Sequence, residues 1–157
     1  MRVRVATAAD YGEVFSLQRA AFVDEARLYE TPDVPALSET LDECVARLDS
    51  STTWVAVDGH RIVGAVSMRR YRGAPDVERL MVAPDRRGEG VAILLLDALA
   101  AHARAGGERL LQLIVGAVAI DNQAIYRHLG WEQVSTSPLD GHPTVLLHTM
   151  QKHIDAK

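Results

Sequence analysis

The spacing of apolar positions changes several times along the chain, and each change marks a predicted element. Residues 2–6, RVRVA, alternate as a strand does. After them Thr7 stands at the head of a helix whose Val14, Leu17, Ala20 and Ala21 share one face. EARLYETPDVPALSE carries Pro32 and Pro35 and reads as an irregular loop, and a second helical pattern runs through Leu37, Leu41, Val45 and Leu48. TTWVAV and RIVGAVSM flank Asp58-Gly59-His60, a hairpin signal between two β-rich runs. A strand over 77–83 comes next, then a helix from about 88 to 105 that stops at Gly106-Gly107. RLLQLIV is a strand, DNQAIYRHL a short helix stopping at Gly130, and WEQV and TVLLHTM are two closing strands.

The order is therefore β-α-α-β-β-β-α-β-α-β-β, which excludes an alternating βα barrel. It predicts a mixed α+β fold with a mostly antiparallel sheet and one parallel crossing. The helix at 88–105 is the crossover. Val91, Leu94, Leu95, Ala98 and Leu99 form one apolar stripe, and Ile93, Leu96 and Ala100 flank it, so this helix is expected to lie buried on the sheet.

Length and charge narrow the possibilities further. The 157 residues suit a single domain over 1–157. A net charge of −4 leaves no broad basic surface for a polyanion, so nucleic acid is not an expected partner. The opening MRVRVATAAD has no apolar core before a cleavage site, and no apolar run is long enough to span a bilayer; a cytoplasmic, membrane-free location is expected. The lone cysteine, Cys44, precludes an intrachain disulfide and reads as a buried helix residue. The six histidines show neither H-x-x-x-H nor H-E-x-x-H spacing, so no metal is expected.

Candidate chemistry concentrates in VERLMVAPDRRGEGVAILLL, residues 77–96. Gly88, Gly90 and Ala92 recur at every second position where a strand becomes a helix, and Arg86 and Arg87 precede them. A helix N-terminus leaves backbone N–H groups unpaired and partially positive, and glycines let that backbone approach an anion closely. A pyrophosphate suits such a cradle; a plain tight turn with solvated arginines is the alternative. The Walker A spacing fails for want of Gly-Lys-Ser/Thr, and the dinucleotide fingerprint fails because Ile93 stands at its third glycine.

LMVAPDRRGEGVAILLL resembles the acyl-CoA-binding motif of the GNAT superfamily of N-acetyltransferases, Q/R-x-x-G-x-G/A after a Val-x-Pro strand end. Here it runs from Arg87 through Gly88, Glu89, Gly90 and Val91 to Ala92, after Val82-Ala83-Pro84. IYRHLGW is similar to the family's Tyr-x-x-x-Gly-Phe/Trp, with Tyr126, Gly130 and Trp131. The resemblance implies the GNAT fold: a twisted, mostly antiparallel sheet of six or seven strands with about four flanking helices.

It also implies roles. Backbone amides of Arg87 to Ala92 hold the pyrophosphate of acetyl-CoA, and main-chain groups from Leu80 through Met81 to Val82 pair with the pantetheine arm in a gap between the strands at 77–83 and 109–115. Arg86 and Arg127 are candidate partners of the nucleotide phosphates. Tyr126 stands at the general acid's place, since a phenol stays protonated at neutral pH and can donate to a departing thiolate. For the base, Asp76 and Glu78 have the parity of Leu80 and Val82 and so are expected on their face. Glu78 is preferred as nearer the thioester. Asp76, six residues before Val82, is the second candidate, and a reaction with no single base is the third. One departure stands out: the family's asparagine position is Ala119, with Asn122 displaced into the next helix as a candidate cofactor contact.

The acceptor site is expected among FVDEARLYETPD, where Glu25, Tyr29 and Glu30, with Asp24 and Asp33, have the chemistry to recognise a cationic amine. The leading reading is an acetyl-CoA-dependent N-acetyltransferase acting on the primary amine of a small molecule. A non-catalytic acyl-CoA sensor, a peptide or protein N-acetyltransferase, O-acetylation and a longer acyl chain remain open. A homodimer covering exposed sheet edges fits the family pattern.

Overall fold

A computed structural model describes residues 1–155. Seven strands form one sheet: β1 (Arg2–Val5), β2 (Thr52–Asp58), β3 (Arg61–Tyr71), β4 (Ala74–Val82), β5 (Leu110–Gly116), β6 (Glu132–Leu139) and β7 (His142–His153). Their order is β1-β2-β3-β4-β5-β7-β6. β4 and β5 are parallel and the other five neighbouring pairs antiparallel. The helices are α1 (Tyr11–Ala21), α2 (Val23–Tyr29), α3 (Pro35–Ser38), α4 (Leu41–Asp49), α5 (Val91–Ala105) and α6 (Ile120–His128), and α5 is the crossover. This is the mixed, mostly antiparallel architecture that the apolar pattern predicts.

The stretch expected to be an irregular loop instead folds as α2 and α3. Asp24 and Glu25 sit in the first turn of α2 and Arg27 in its last, each at the end of the helix dipole that suits its charge. Glu30 ends α2 in a left-handed conformation, φ 55°, and Pro35 opens α3, where its missing N–H costs nothing. The helix expected from Leu37 starts only at Leu41. Thr40 caps it, accepting from the Glu43 N–H at 3.2 Å while its own N–H donates to the Glu43 carboxylate at 3.1 Å. α5 likewise begins at Val91 rather than 88, because Gly88 and Gly90 have φ of 80° and 82°. The last two strands extend well beyond WEQV and TVLLHTM and meet at a turn through Asp140-Gly141.

Both faces of the sheet are covered. On one, Leu95 and Leu99 of α5 pack with Trp54, Val66, Leu111 and Met150. On the other, Val14 of α1 and Cys44 and Leu48 of α4 pack with Val55, Ile62, Ala65 and Met81. α5 lies close enough to β3 that a Cβ on Gly64 would stand 2.7 Å from Val91 Cγ1.

Two irregularities in β4 shape everything built on it. Ala65 pairs with Met81 but Ser67 with Glu78, so β4 carries one residue more than β3 across the same span. Arg79, at φ 52°, lies within that bulge. Secondly, β4 and β5 pair at only two positions, Asp76 with Gln112 and Val77 with Leu113, and no pairing follows beyond them.

Candidate active site

The strand-to-helix turn is built as an open cradle. From Val82 the chain passes through a 3-10 turn, Pro84–Arg86, to Gly88-Glu89-Gly90. No side chain caps α5, and its first closure is the Leu94 N–H to the Gly90 carbonyl at 3.2 Å. The N–H groups of Val91, Ala92 and Ile93 precede that closure and have no acceptor within the helix. A Cβ added to Gly88 or Gly90 would meet nothing within 4 Å, so the loop backbone faces open space. These features fit a pyrophosphate. The two arginines are tethered beside it: Arg86 to Asp58 at 2.9 Å and Glu89 at 2.8 Å, Arg87 to Asp24 and to the Ala21 carbonyl at 3.0 Å. Their ion pairs fasten the cradle to the β2–β3 turn and to the α1–α2 junction.

Where β4 and β5 part, a cleft of about 430 Å³ opens, walled by both strands, by Glu25 and Tyr29 of α2, and by Asn122 and Tyr126 of α6. The carboxyls on β4 are not where strand parity puts them. The extra residue at the bulge shifts the alternation, so Asp76 and Glu78, paired with Arg69 and Ser67, lie on the α1–α4 face with Met81. Leu80 and Val82 pack on the α5 side instead. The parity expectation is thereby overturned, although Asp76, Glu78 and Leu80 all still line the cleft.

The two carboxyls also differ electrostatically. Asp76 is 4% exposed and its Oδ1 has no hydrogen-bond partner. Burial, and then the charge of Glu78, push it up to about 7 against the pull of Arg69. Glu78 is half-buried and held by Arg69 Nε at 2.8 Å. Asp76 is therefore the carboxyl that titrates near neutrality, whereas Glu78 is occupied as an ion-pair partner.

Across the cleft, Tyr126 stands edge-on to Trp131, with ring centroids 6.0 Å apart. Burial, and then the nearby Glu25, push its phenol up to about 12. The same causes raise Tyr29, whose hydroxyl lies so close over Gly116 that an added Cβ there would overlap it. Burial raises Glu25 itself, against the pull of Arg79.

The cleft thus brings together Asp76, Glu78, Leu80, Glu25, Tyr29, Asn122 and Tyr126. Other predicted residues lie elsewhere. Glu30 is exposed at the end of α2, outside the cleft lining, and Arg127 hydrogen-bonds to Gln133 at 3.3 Å. Asp24 is engaged by Arg87. The Met81 and Val91 side chains are buried in the two cores, and the Met81 backbone is a rung of the ladder with Ala65 of β3, so the expected Met81 contact to the cofactor arm is not available there. Ala119, at the asparagine position, is buried. Sequence reading missed Arg47 and Arg79, which also line the cleft. The available signal was Arg79 itself, a cation inside the apolar run VERLMV.

The family model for an acetyltransferase (GNAT) domain matches residues 18–154. The chain belongs to the GNAT family. Its fold is shared by an N-acetyltransferase from Staphylococcus aureus Mu50, at 18% identity and TM-score 0.79 with 98% of each chain covered. A ribosomal-protein-alanine N-acetyltransferase from Brucella melitensis matches at 24% identity and TM-score 0.74, covering 98% of this chain and 99% of that one. An aminoglycoside 6'-N-acetyltransferase complexed with coenzyme A matches at 16% identity and TM-score 0.74, covering 100% and 99%. No curated protein matches the chain in sequence. These likenesses show the GNAT fold, and the latter two names state different acceptors for the proteins that carry them. Among the described residues, no helix is long and apolar enough to cross a membrane and no group of three His, Cys, Asp or Glu side chains gathers as a metal site.

Proposed function

We propose that this GNAT protein transfers an acetyl group from acetyl-CoA to the primary amine of a small acceptor within a ternary complex. One observation carries the reading. A buried carboxyl, Asp76, and a phenol, Tyr126, line one cleft where β4 and β5 part, and the glycine turn that follows β4 leaves its backbone open to space. The residues that would hold acetyl-CoA are the backbone amides from Arg87 to Ala92 and the β4 main chain at Leu80 and Val82.

When bound, acetyl-CoA supplies the activated thioester carbonyl. The protein's share is to deliver a neutral amine and to protonate the leaving sulfur. Asp76, poised at about 7, is partly ionised at neutral pH and takes the ammonium proton. Glu78 keeps Asp76 raised while remaining paired to Arg69. Tyr126 retains its proton on Oη well above neutral pH and holds it for the thiolate. Asp76 thus replaces Glu78 as the favoured base.

The test is free-thiol release from acetyl-CoA across an amine panel. Tyr126→Phe should lower kcat by about 100-fold while leaving the KM for acetyl-CoA within about twofold. A wild type that binds acetyl-CoA yet releases no thiol with any acceptor would defeat the proposal and favour a sensor.

A further inference from the structure

We propose that the acceptor carries a carboxylate beside its amine, and that the guanidiniums of Arg79 and Arg47 receive that carboxylate. The inference rests on the acetyltransferase reading and names the acceptor's class: an aminocarboxylate, such as an amino acid.

Arg79, from the β4 bulge, and Arg47, from α4, both line the cleft, with side chains only 17% and 10% exposed. They converge on one carboxylate. Glu39 Oε2 accepts from Arg47 Nε at 3.1 Å and from Arg79 Nη2 at 3.3 Å. Glu39 Oε1 is also occupied, by Gln18 Nε2 at 3.1 Å, and Gln18 Oε1 accepts from Arg47 Nη2 at 2.9 Å. The acceptors of this cluster are therefore spent, yet Arg47 Nη1 and Arg79 Nη1 remain buried without a partner. Among the described residues these two atoms and Asp76 Oδ1 are the buried unpartnered side-chain polar atoms, and all three belong to residues of the cleft wall.

Two buried guanidiniums on one carboxylate are under-compensated. Burial, and then the charge of Arg47, push Arg79 below the usual arginine range, the signature of a cation short of anions. The other nearby carboxyls do not fill the gap: Glu78 is paired with Arg69, and Glu25, although near enough to feel the charge of Arg79, makes no hydrogen bond or ion pair with it. A carboxylate matches the guanidinium fork, accepting two N–H bonds at once. Both Nη1 atoms lie within the wall, so such a ligand would draw the flexible arginine side chains toward it.

The cleft lining offers both charges: Arg47 and Arg79 supply the cations for a carboxylate, and Asp76 supplies the carboxyl for an ammonium. A simple amine would bring a third cation towards the two guanidiniums. An aminocarboxylate brings its own anion to the guanidiniums beside the ammonium, whose proton Asp76 takes where the proposed chemistry needs it.

The experiment compares each proteinogenic amino acid with its methyl ester. Thiol release is measured for wild type, Arg79→Gln and Arg79→Lys. Separately, each compound is titrated calorimetrically into protein saturated with coenzyme A, so binding is read without turnover. The free acid of the preferred side chain should exceed its ester by about 30-fold in kcat/KM and in affinity, the scale of a lost charge-assisted pair. Arg79→Gln should reduce that preference to about threefold or less, Arg79→Lys should restore part of it, and coenzyme A affinity should stay within about twofold. Esters equal to or better than acids, or an acid preference unchanged in Arg79→Gln, would overturn the proposal. Acid-selective binding without thiol release would uphold the carboxylate site while sinking the acetyltransferase reading. Absence of acid-selective binding alongside turnover of plain amines would do the reverse.

Discussion

Replacing Asp76 with asparagine should make the protein more stable, and increasingly so as pH rises from about 4 to about 7. Asp76 is raised from 3.8 to about 7, chiefly because burial opposes its charge. Below pH 3.8 the group is protonated in both folded and unfolded chains and contributes no penalty. As pH climbs, the unfolded chain ionises first while the folded chain keeps its proton, so the folded state loses ground until pH passes the folded value. Above about 7 both states are ionised and the penalty is complete. A shift of about 3 units corresponds to about 4 kcal/mol for a carboxyl sealed from water. The cleft opens to solvent, which screens the charge, so about 2 kcal/mol is expected. Asparagine keeps nearly the same shape and never ionises. Urea unfolding of both proteins, followed from about pH 4.5 to about pH 8, should therefore show curves that diverge through this window. A stability difference that stays flat across it would refute the assignment of a strained, near-neutral carboxyl. With Asp76 as the base, the wild-type rate of thiol release should rise as pH passes about 7 and that of Asp76→Asn should not, which ties the penalty to the chemistry.

Two further predictions test the cradle and the core. Gly90→Ala forces a residue with a Cβ into φ 82°, a strain of about 1–2 kcal/mol, and puts a methyl group into the open space of the loop. The KM for acetyl-CoA, read in steady-state kinetics, should rise by about tenfold, whereas kcat at saturation should change little. Leu99→Ala, at a fully buried position of α5, should destabilise the fold by about 2–5 kcal/mol in chemical denaturation.

Much of this architecture was legible because local signals agreed with the global fold. Alternation predicted the strands, the glycines predicted a turn before α5, and the apolar stripe of α5 predicted its packing on the sheet through Val91, Leu95 and Leu99, although Ile93 and Leu94, expected to be buried with them, are exposed. The failures have particular physical causes. α2 escaped notice because the prolines that suggested a loop lie beyond its end at Glu30 and at the first position of α3, where neither breaks a helix. The face of Asp76 and Glu78 was misread because parity holds only in an unbroken ladder. Nothing in VERLMV announces that Arg79 will take a left-handed backbone and add a residue. The Arg47–Glu39–Gln18–Arg79 cluster was invisible for a different reason: its members come from four separate segments and meet only after α1, α4 and β4 have packed.

The bulge links these misreadings to the chemistry. A regular β4 would place Asp76, Glu78, Leu80 and Val82 on one face, so the acceptor carboxyls and the α5-side strand end would compete for the same side of the sheet. One extra residue separates them: the first half of β4 turns its carboxyls toward α1 and α4, while Leu80 and Val82 turn toward α5 and the cradle. The residue that makes the switch is Arg79, whose side chain reaches Glu39 on the acceptor side. The feature that divides the strand into two working halves thus also carries the cation that we propose selects the acceptor.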